Sequence, residues 1–225
     1  NKYSNKNLKN ALKEFFGNKT IKDCRNYVCI PSIDVATCQP IMFKTNNNGQ
    51  LCRDENTLLV DIALATSAAP TYFPIHSFDS FLGLVDGGLW QNNPTLYGII
   101  EAISYFVGNG KEYDKIKILS LGNPSSCTRT GISTKNHNSS ILKWNANLVT
   151  LPMKISSIAT TQIVSFLYKT QALNIEKYLR IEPQNLSTNF LDLKLDSADE
   201  ETYKKILAQS SSVFNQNKNE LHNFF

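Results

Sequence analysis

The chain has 225 residues, of which 41% are hydrophobic and 19% charged, so its composition is that of a globular rather than a disordered protein. Its formal net charge of +4 is small, and nothing in the sequence resembles a nucleic-acid-binding module, a phosphate-binding loop or a metal site. We therefore expect no cofactor and no nucleic-acid partner. No apolar run approaches the roughly 20 residues of a spanning helix, so we expect any membrane contact to be peripheral.

The five cysteines are odd in number and show no C-x-x-C spacing. This pattern favours reduced thiols over a disulfide framework or a zinc site. Cys29 and Cys38 fall in or beside apparent strands, where we expect them to be small core residues.

The first predicted element is a helix over residues 7–16, in which apolar residues recur at helical spacing. Asn7 is its expected N-cap and Gly17 its expected end. Two strands follow at 28–35 and 40–44, joined by a turn.

A buried helix is predicted over residues 58–67, with Thr57 as its cap, and Pro70 and Pro74 then favour an extended passage.

A short apolar strand over residues 82–85 comes next and leads directly into Asp86. Gly87 and Gly88 follow, so the backbone can turn sharply at the end of the strand. Pro94 suits the first turn of a helix over residues 95–107, because its missing N–H would have no partner there.

The rest of the chain also reads as predicted strands and helices in turn. Residues 116–121 read as a buried strand, and because they follow a helix, a right-handed β-α-β crossover is expected. One or two helices are predicted over 142–173, with a possible break near Pro152. Ser197 and Glu200 form a capping-box pattern before the last helix.

Several of these stretches together resemble the patatin-like acyl hydrolases. The resemblance is carried by A-T-S-A-A-P-T-Y-F-P at 65–74, V-D-G-G at 85–88 and N-N-P at 92–94, and it extends to segments 27–44, 116–122 and 178–181. It covers most of the chain and is weakest after Gly122. The resemblance implies a three-layer α/β/α sandwich, and we expect residues 1–225 to form a single patatin-like domain whose N-terminal part is absent.

The resemblance also implies the chemistry, a Ser–Asp dyad that hydrolyses lipid esters, with Asp86 as the aspartate. Gly87, Gly88, Asn92 and Asn93 support the motif. The family's serine lies in G-x-S-x-G after a glycine-rich oxyanion loop, and none of the ten glycines here belongs to such a motif. We therefore expect this chain to lack both parts and to be inactive by itself.

A free aspartate, with a pKa of ~3.9, is too acidic to be a good general base at neutral pH. Burial by Leu84, Val85, Leu89 and Trp90 would raise the pKa of Asp86, whereas N–H groups of the glycine turn would lower it. The sequence leaves the balance open.

Several other residues are weaker candidates for the site. His76 is a conceivable triad base with Asp79 or Asp86, but a structural role is favoured. We expect Asp34 and Asp61 to make capping or ion-pair contacts. The aromatic residues that could line an acyl pocket are more simply core residues: Tyr72, Phe73, Phe78 and Phe81.

The leading interpretation is a serine-dependent phospholipase or lysophospholipase, peripheral at membranes in the cytoplasm. The expected partner is a membrane phospholipid or another acyl lipid, with self-association or an N-terminal fragment completing the domain. The alternative is a catalytically inactive lipid-binding or storage protein that keeps the same fold.

Overall fold

The structure is a computed structural model that describes residues 1–46, 49, 51–123, 147–183 and 196–225. These residues form two compact units, Asn1–Pro94 and Thr95–Phe225.

The first unit is built on an antiparallel sheet of four strands in the order β2-β1-β4-β3. Its strands are β1 (Cys29–Asp34), β2 (Gln39–Lys44), β3 (His76–Phe78) and β4 (Phe81–Asp86). The predicted strands at 28–35, 40–44 and 82–85 are thus confirmed. Central strand β1 pairs along its whole length with β2, and its second half pairs with β4 through Ser32↔Asp86, Ile33↔Val85 and Asp34↔Leu84.

The core of this unit lies between the sheet and helix α2 (Leu59–Thr66), which carries the predicted buried segment. Ile21, Phe43, Ile62, Ala65 and Leu84 are all at most 1% exposed. Because Leu84 lies on β4 just before Asp86, this core holds the strand that presents the aspartate.

Helix α1 (Lys6–Phe16) ends at Gly17, as predicted, and Gly17 has a φ of +57° that favours glycine. The N-cap position is occupied by Asn5 rather than Asn7. Thr57 is not the cap of α2, since that position is held by Leu58. The reason is long-range pairing, because the Thr57 carbonyl accepts from the Ile21 N–H and keeps this segment extended.

Helices α3 (Gly88–Gln91) and α4 (Thr95–Tyr105) follow β4, the first in the first unit and the second in the second.

The second unit contains a parallel pair of strands, β5 (Ile116–Leu121) and β6 (Ile175–Ile181). Its other helices are α5 (Asn147–Lys169) and α6 (Glu200–Phe224). Ile99, Val164 and Ile175 form its buried cluster.

Three predictions for this unit need correction. Among the described strands β5 pairs with β6, so the parallel β-α-β connection runs through α5 rather than from β4 through α4. β5 is also only partly buried, with Leu121 67% exposed. Helix α5 continues through Pro152 without a break, and residues 142–146 of the predicted segment lie outside the described residues.

The cap of the last helix differs from the sequence prediction as well. Asp199, not Ser197, is the N-cap of α6, and its carboxylate accepts from the Thr202 N–H at 2.8 Å. An Asx cap two residues further on satisfies the first turn directly.

Mixed helices and sheets confirm the predicted α/β class. Cys24, Cys38 and Cys52 are free thiols. Cys29 is partly buried on β1, and Cys38 is exposed in a turn rather than in the core. Within the described ranges, no helix has the length and apolar character needed to cross a membrane.

Candidate functional site

Asp86 is the last residue of β4, next to central strand β1. It lies opposite Ser32 in the register, and its N–H donates to the Ala68 carbonyl at 3.1 Å. Ala68 belongs to the 65–74 motif and is buried. Two motifs that are separated in the sequence therefore meet at the backbone of Asp86.

The Asp86 carboxylate is held by the turn that follows it. The Gly88 N–H donates to Oδ1 at 2.7 Å, the short distance typical of a charge-assisted hydrogen bond. Burial raises the pKa of the Asp86 carboxyl above its ordinary value, and the Gly88 N–H opposes this with a smaller effect. The effect of burial on the pKa therefore outweighs that of the Gly88 hydrogen bond, which the sequence could not establish. As a result, Asp86 is a stronger base than a free aspartate.

Gly87 is required at its position by close packing. Its φ of −67° is open to any residue, but a Cβ there would lie 2.1 Å from the Pro31 carbonyl oxygen. No side chain fits at that distance, so only glycine allows β4 to turn against β1 at this point.

Three polar side chains, Ser32, Thr66 and Trp90, hold together the corner where the turn after β4 meets β1, and only Trp90 among them was singled out from the sequence, for its burial of Asp86. The Thr66 hydroxyl donates to the Pro31 carbonyl at 2.7 Å, and the Trp90 indole N–H donates to the Ser32 carbonyl at 3.0 Å. The hydroxyl of the fully buried Ser32 donates to the Val85 carbonyl at 2.8 Å. Thr66 lies in the 65–74 motif and Ser32 in segment 27–44, both of which carry the family resemblance, and Trp90 lies between V-D-G-G and N-N-P. That resemblance was the available signal for these side chains.

Asn92 and Asn93 follow α3, and Asn93 is only 2% exposed. The Gln91 side chain donates to the Asn93 carbonyl at 3.2 Å, which ties the end of this turn. The supporting role expected for the Asn92 and Asn93 side chains stays a prediction.

His76 lies on β3, and the structure pairs it with Asp61 of α2. The distance from Nε2 to Oδ1 is 3.0 Å, and His76 is buried. This contact fits the structural role that the sequence favoured and joins the helix to the sheet. Asp79, the other conceivable partner, is exposed in the turn between β3 and β4.

The remaining candidates also have structural contacts. Asp34 accepts from the Ala36 N–H and the Thr37 hydroxyl, both at 2.9 Å, which is the predicted capping role. Phe78 and Phe81 pack on Phe43 in the core, with ring centroids 6.0 and 5.4 Å away. No group of three or more His, Cys, Asp or Glu side chains suited to a metal occurs in the part of the chain that the structure describes.

Comparison with known proteins connects this corner to a family. The family model described as patatin-like phospholipase matches residues 1–99, which include Asp86 and its bracing residues. A cGAMP-activated phospholipase of Escherichia coli (strain TW11681) is 29% identical over 241 residues, covering 99% of this chain and 65% of the relative.

Two further relatives show the same similarity over shorter stretches. A cGAMP-activated phospholipase of Vibrio cholerae is 37% identical over 126 residues, covering 53% of this chain and 35% of its own length. Patatin-like protein 1 of Oryza sativa subsp. indica is 31% identical over 209 residues, covering 82% of this chain and 50% of the relative. The chain thus spans about one third to two thirds of the length of these relatives. With these motifs in place around Asp86, residues 1–99 of the chain match the patatin-like phospholipase family.

Proposed function

We propose that this chain is the aspartate-bearing part of a lipid acyl hydrolase that acts on phospholipid esters. The observation that carries the proposal is Asp86, a half-buried carboxylate with a raised pKa at a strand end, in a chain whose residues 1–99 match the patatin-like phospholipase family. The names of the bacterial relatives, which include the word phospholipase, support the same reaction class.

In the proposed mechanism Asp86 is the general base of a Ser–Asp dyad. It accepts the proton of a serine hydroxyl while the serine oxygen attacks the ester carbonyl, and it returns that proton to the departing alcohol. Water then cleaves the acyl-enzyme by the same route, with Asp86 taking a proton from water and the serine regaining it. The fatty acid leaves, and the dyad is restored.

The two carboxylate oxygens have different surroundings, which favours one of them as the proton acceptor. Oδ1 is engaged by the Gly88 N–H. Among the residues that the structure describes, no donor bonds to Oδ2. We therefore assign Oδ2 as the atom that receives the serine proton, while the Gly88 N–H fixes the orientation of the carboxylate.

The serine and the oxyanion donors are proposed to come from protein outside residues 1–225, because none of the ten glycines belongs to a G-x-S-x-G motif. A segment carrying that motif would complete the site beside β4. The alternative function, an inactive lipid-binding or storage protein, requires the same fold with no such serine.

The test measures fatty acid release from phospholipid vesicles by the complete protein and by its Asp86→Asn variant. Asparagine keeps the shape but does not accept a proton, so kcat should fall on the order of 10²–10⁴-fold with KM little changed. Asp79→Asn is the matched control, since it makes the same change at an exposed turn. Near-full activity of folded Asp86→Asn would refute the dyad, and an inactive complete protein would favour the storage or binding role.

A second measurement tests the source of the serine. Residues 1–225 alone should not hydrolyse a short-chain p-nitrophenyl ester above a buffer control, because the nucleophile is missing. Turnover by this chain would show that it contains a nucleophile of its own and would overturn the assignment.

A further inference from the structure

The turn that holds the Asp86 carboxylate is too short to be rigid by itself. Helix α3 has four residues, and its N–H groups at Trp90 and Gln91 both donate to the Gly87 carbonyl, at 3.2 and 2.9 Å. A single helical turn is marginal without outside contacts, because fixing its backbone costs more than its own hydrogen bonds return. The position of the Gly88 N–H therefore depends on what anchors α3.

The anchor is the indole of Trp90. Its N–H donates to the backbone carbonyl of Ser32 at 3.0 Å. Ser32 lies on β1, which pairs with β4, the strand that precedes α3. Ser32 is fully buried in the central strand and is the register partner of Asp86. Strand pairing and this bond thus close a ring from Asp86 through Gly88 and Trp90 to Ser32 and back.

We propose that Trp90 is a positioning residue for Asp86, which holds the Gly88 N–H against the carboxylate through its bond to the Ser32 carbonyl. The role in catalysis rests on the proposed function, but the coupling between Trp90 and Asp86 does not. Without the indole N–H, α3 loses this hydrogen bond to β1 and keeps the packing of Gly87 on Pro31, and we expect the Gly88 N–H to move away from Oδ1.

The consequence is measurable because the Gly88 bond favours the ionised carboxylate. Burial raises the pKa of Asp86 and the Gly88 N–H lowers it, so weakening that bond raises the pKa further. Helix α3 itself carries no titratable side chain. The titratable groups on the elements packed against β4 are Cys29 and Asp34 of β1, Asp61 of α2 and His76 of β3.

Asp34, Asp61 and His76 are engaged away from Asp86, and Cys29 lies at the start of β1, opposite Lys44 of β2. Asp34 lies opposite Leu84 and bonds to the Ala36 N–H and the Thr37 hydroxyl, and Asp61 is paired with His76. A rise in the pKa of Asp86 after substitution of Trp90 therefore reports on the hydrogen bond from the Gly88 N–H.

The test follows the Asp86 carboxyl carbon by ¹³C NMR during a pH titration of the whole chain, with Asp86→Asn to assign the signal. In Trp90→Phe, which removes the N–H donor, the titration should move to higher pH. Ser77→Ala is the control, since it removes a hydroxyl bond of 2.7 Å to the Leu82 carbonyl at the other end of β4, and it should leave the titration in place. An unchanged Asp86 titration in folded Trp90→Phe would overturn the proposal.

A second variant covers the case in which phenylalanine does not fill the space of the indole. Trp90 can be replaced by β-(3-benzothienyl)alanine, which keeps the indole shape with sulfur in place of N–H. A Trp144→Phe background confines the replacement to residue 90, because the chain has two tryptophans. The Asp86 titration is again expected to move to higher pH, and an unchanged titration in this folded variant counts against the proposal.

Kinetics of the complete protein separate positioning from mere stabilisation. Trp90→Phe should move the acidic limb of the kcat profile to higher pH with KM unchanged, because more hydroxide is then needed to ionise Asp86, and the rate lost on the acidic side should return as the pH rises. A loss that is independent of pH would overturn the positioning role. If the wild-type complete protein is inactive, the proposed function fails, while the NMR titration still decides the coupling.

Discussion

Gly87 lies so close to the main chain of Pro31 that a Cβ at residue 87 would be 2.1 Å from the Pro31 carbonyl oxygen. The obstruction is backbone in a central strand, which a side-chain rotation does not relieve. The corner that presents Asp86 is therefore built on a contact between two strands, and glycine at this position is a packing requirement.

Gly87→Ala should destabilise the protein by about 3 kcal/mol or more, the upper range for overpacking, because β1 and β4 must separate. Gly98→Ala is the matched control. Gly98 lies in helix α4, and a methyl group added there would meet nothing within 4 Å, so alanine should stabilise the helix by about 0.5–1 kcal/mol. Urea denaturation of both variants gives their free energies of unfolding. Equal values would contradict the close contact between Gly87 and the Pro31 backbone.

Asp86→Asn should make the protein more stable at neutral pH. Burial raises the pKa of Asp86 in the folded state, so the folded state binds the proton more tightly than the unfolded state, whose value is ~3.9. The stability of the wild type therefore declines as pH rises from the unfolded to the folded pKa, and stays lowered above it. Asparagine does not ionise, and its side-chain oxygen can still accept from the Gly88 N–H.

Thermal melts at several pH values check this. The melting temperature of Asp86→Asn should exceed that of the wild type at pH 7, and the difference should close below about pH 4. Asp79→Asn, at an exposed turn, should show no such gap. A wild type that is the more stable protein at pH 7 would show that Asp86 is stabilised, not destabilised, as an ion.

His76→Ala should reduce stability without removing the catalytic chemistry. It leaves the partly buried Asp61 carboxylate without its histidine partner between α2 and β3, which costs about 1 kcal/mol, the low end for an unpaired polar group, because the Asp61 side chain is 22% exposed. Below its melting temperature the complete protein should keep its kcat. If folded His76→Ala is inactive while Asp86→Asn is active, a histidine-based mechanism replaces the dyad.

Asp199→Ala should lower the melting temperature, whereas Ser197→Ala should not. Bonds from the Thr202 N–H and hydroxyl hold the pKa of Asp199 below its ordinary value. The stability from this cap is therefore present above the unfolded pKa and is lost as pH falls through the lower folded pKa. Thermal melts of both variants at neutral and acidic pH test this prediction. A larger drop in melting temperature for Ser197→Ala would show that Ser197 is the N-cap, as the sequence predicted.

The elements of the first unit could be predicted from sequence because their signals are local. Strands 28–35, 40–44 and 82–85 are short apolar runs, and Gly17 ends a helix through its own backbone conformation. The predicted cap at Thr57 was wrong because a distant segment intervened. Thr57 is held extended by Ile21, which no pattern around Thr57 reveals.

The partner of strand 116–121 was beyond the sequence for a related reason. An apolar run predicts that a strand forms, but its neighbour depends on which other strand presents free backbone groups beside it. Among the described strands that neighbour is β6, more than 50 residues further along the chain.

The position of Asp86 at a strand end, between recognisable motifs, follows from the sequence alone, since those signals lie in contiguous residues. The folded structure was needed to establish that burial outweighs the Gly88 N–H at the carboxylate, because desolvation depends on everything packed around it. It also decided that Gly87 is fixed by Pro31 and Trp90 by Ser32. Both contacts reach β1 from the turn that follows β4, and contacts between segments far apart in the chain arise only when the sheet has formed.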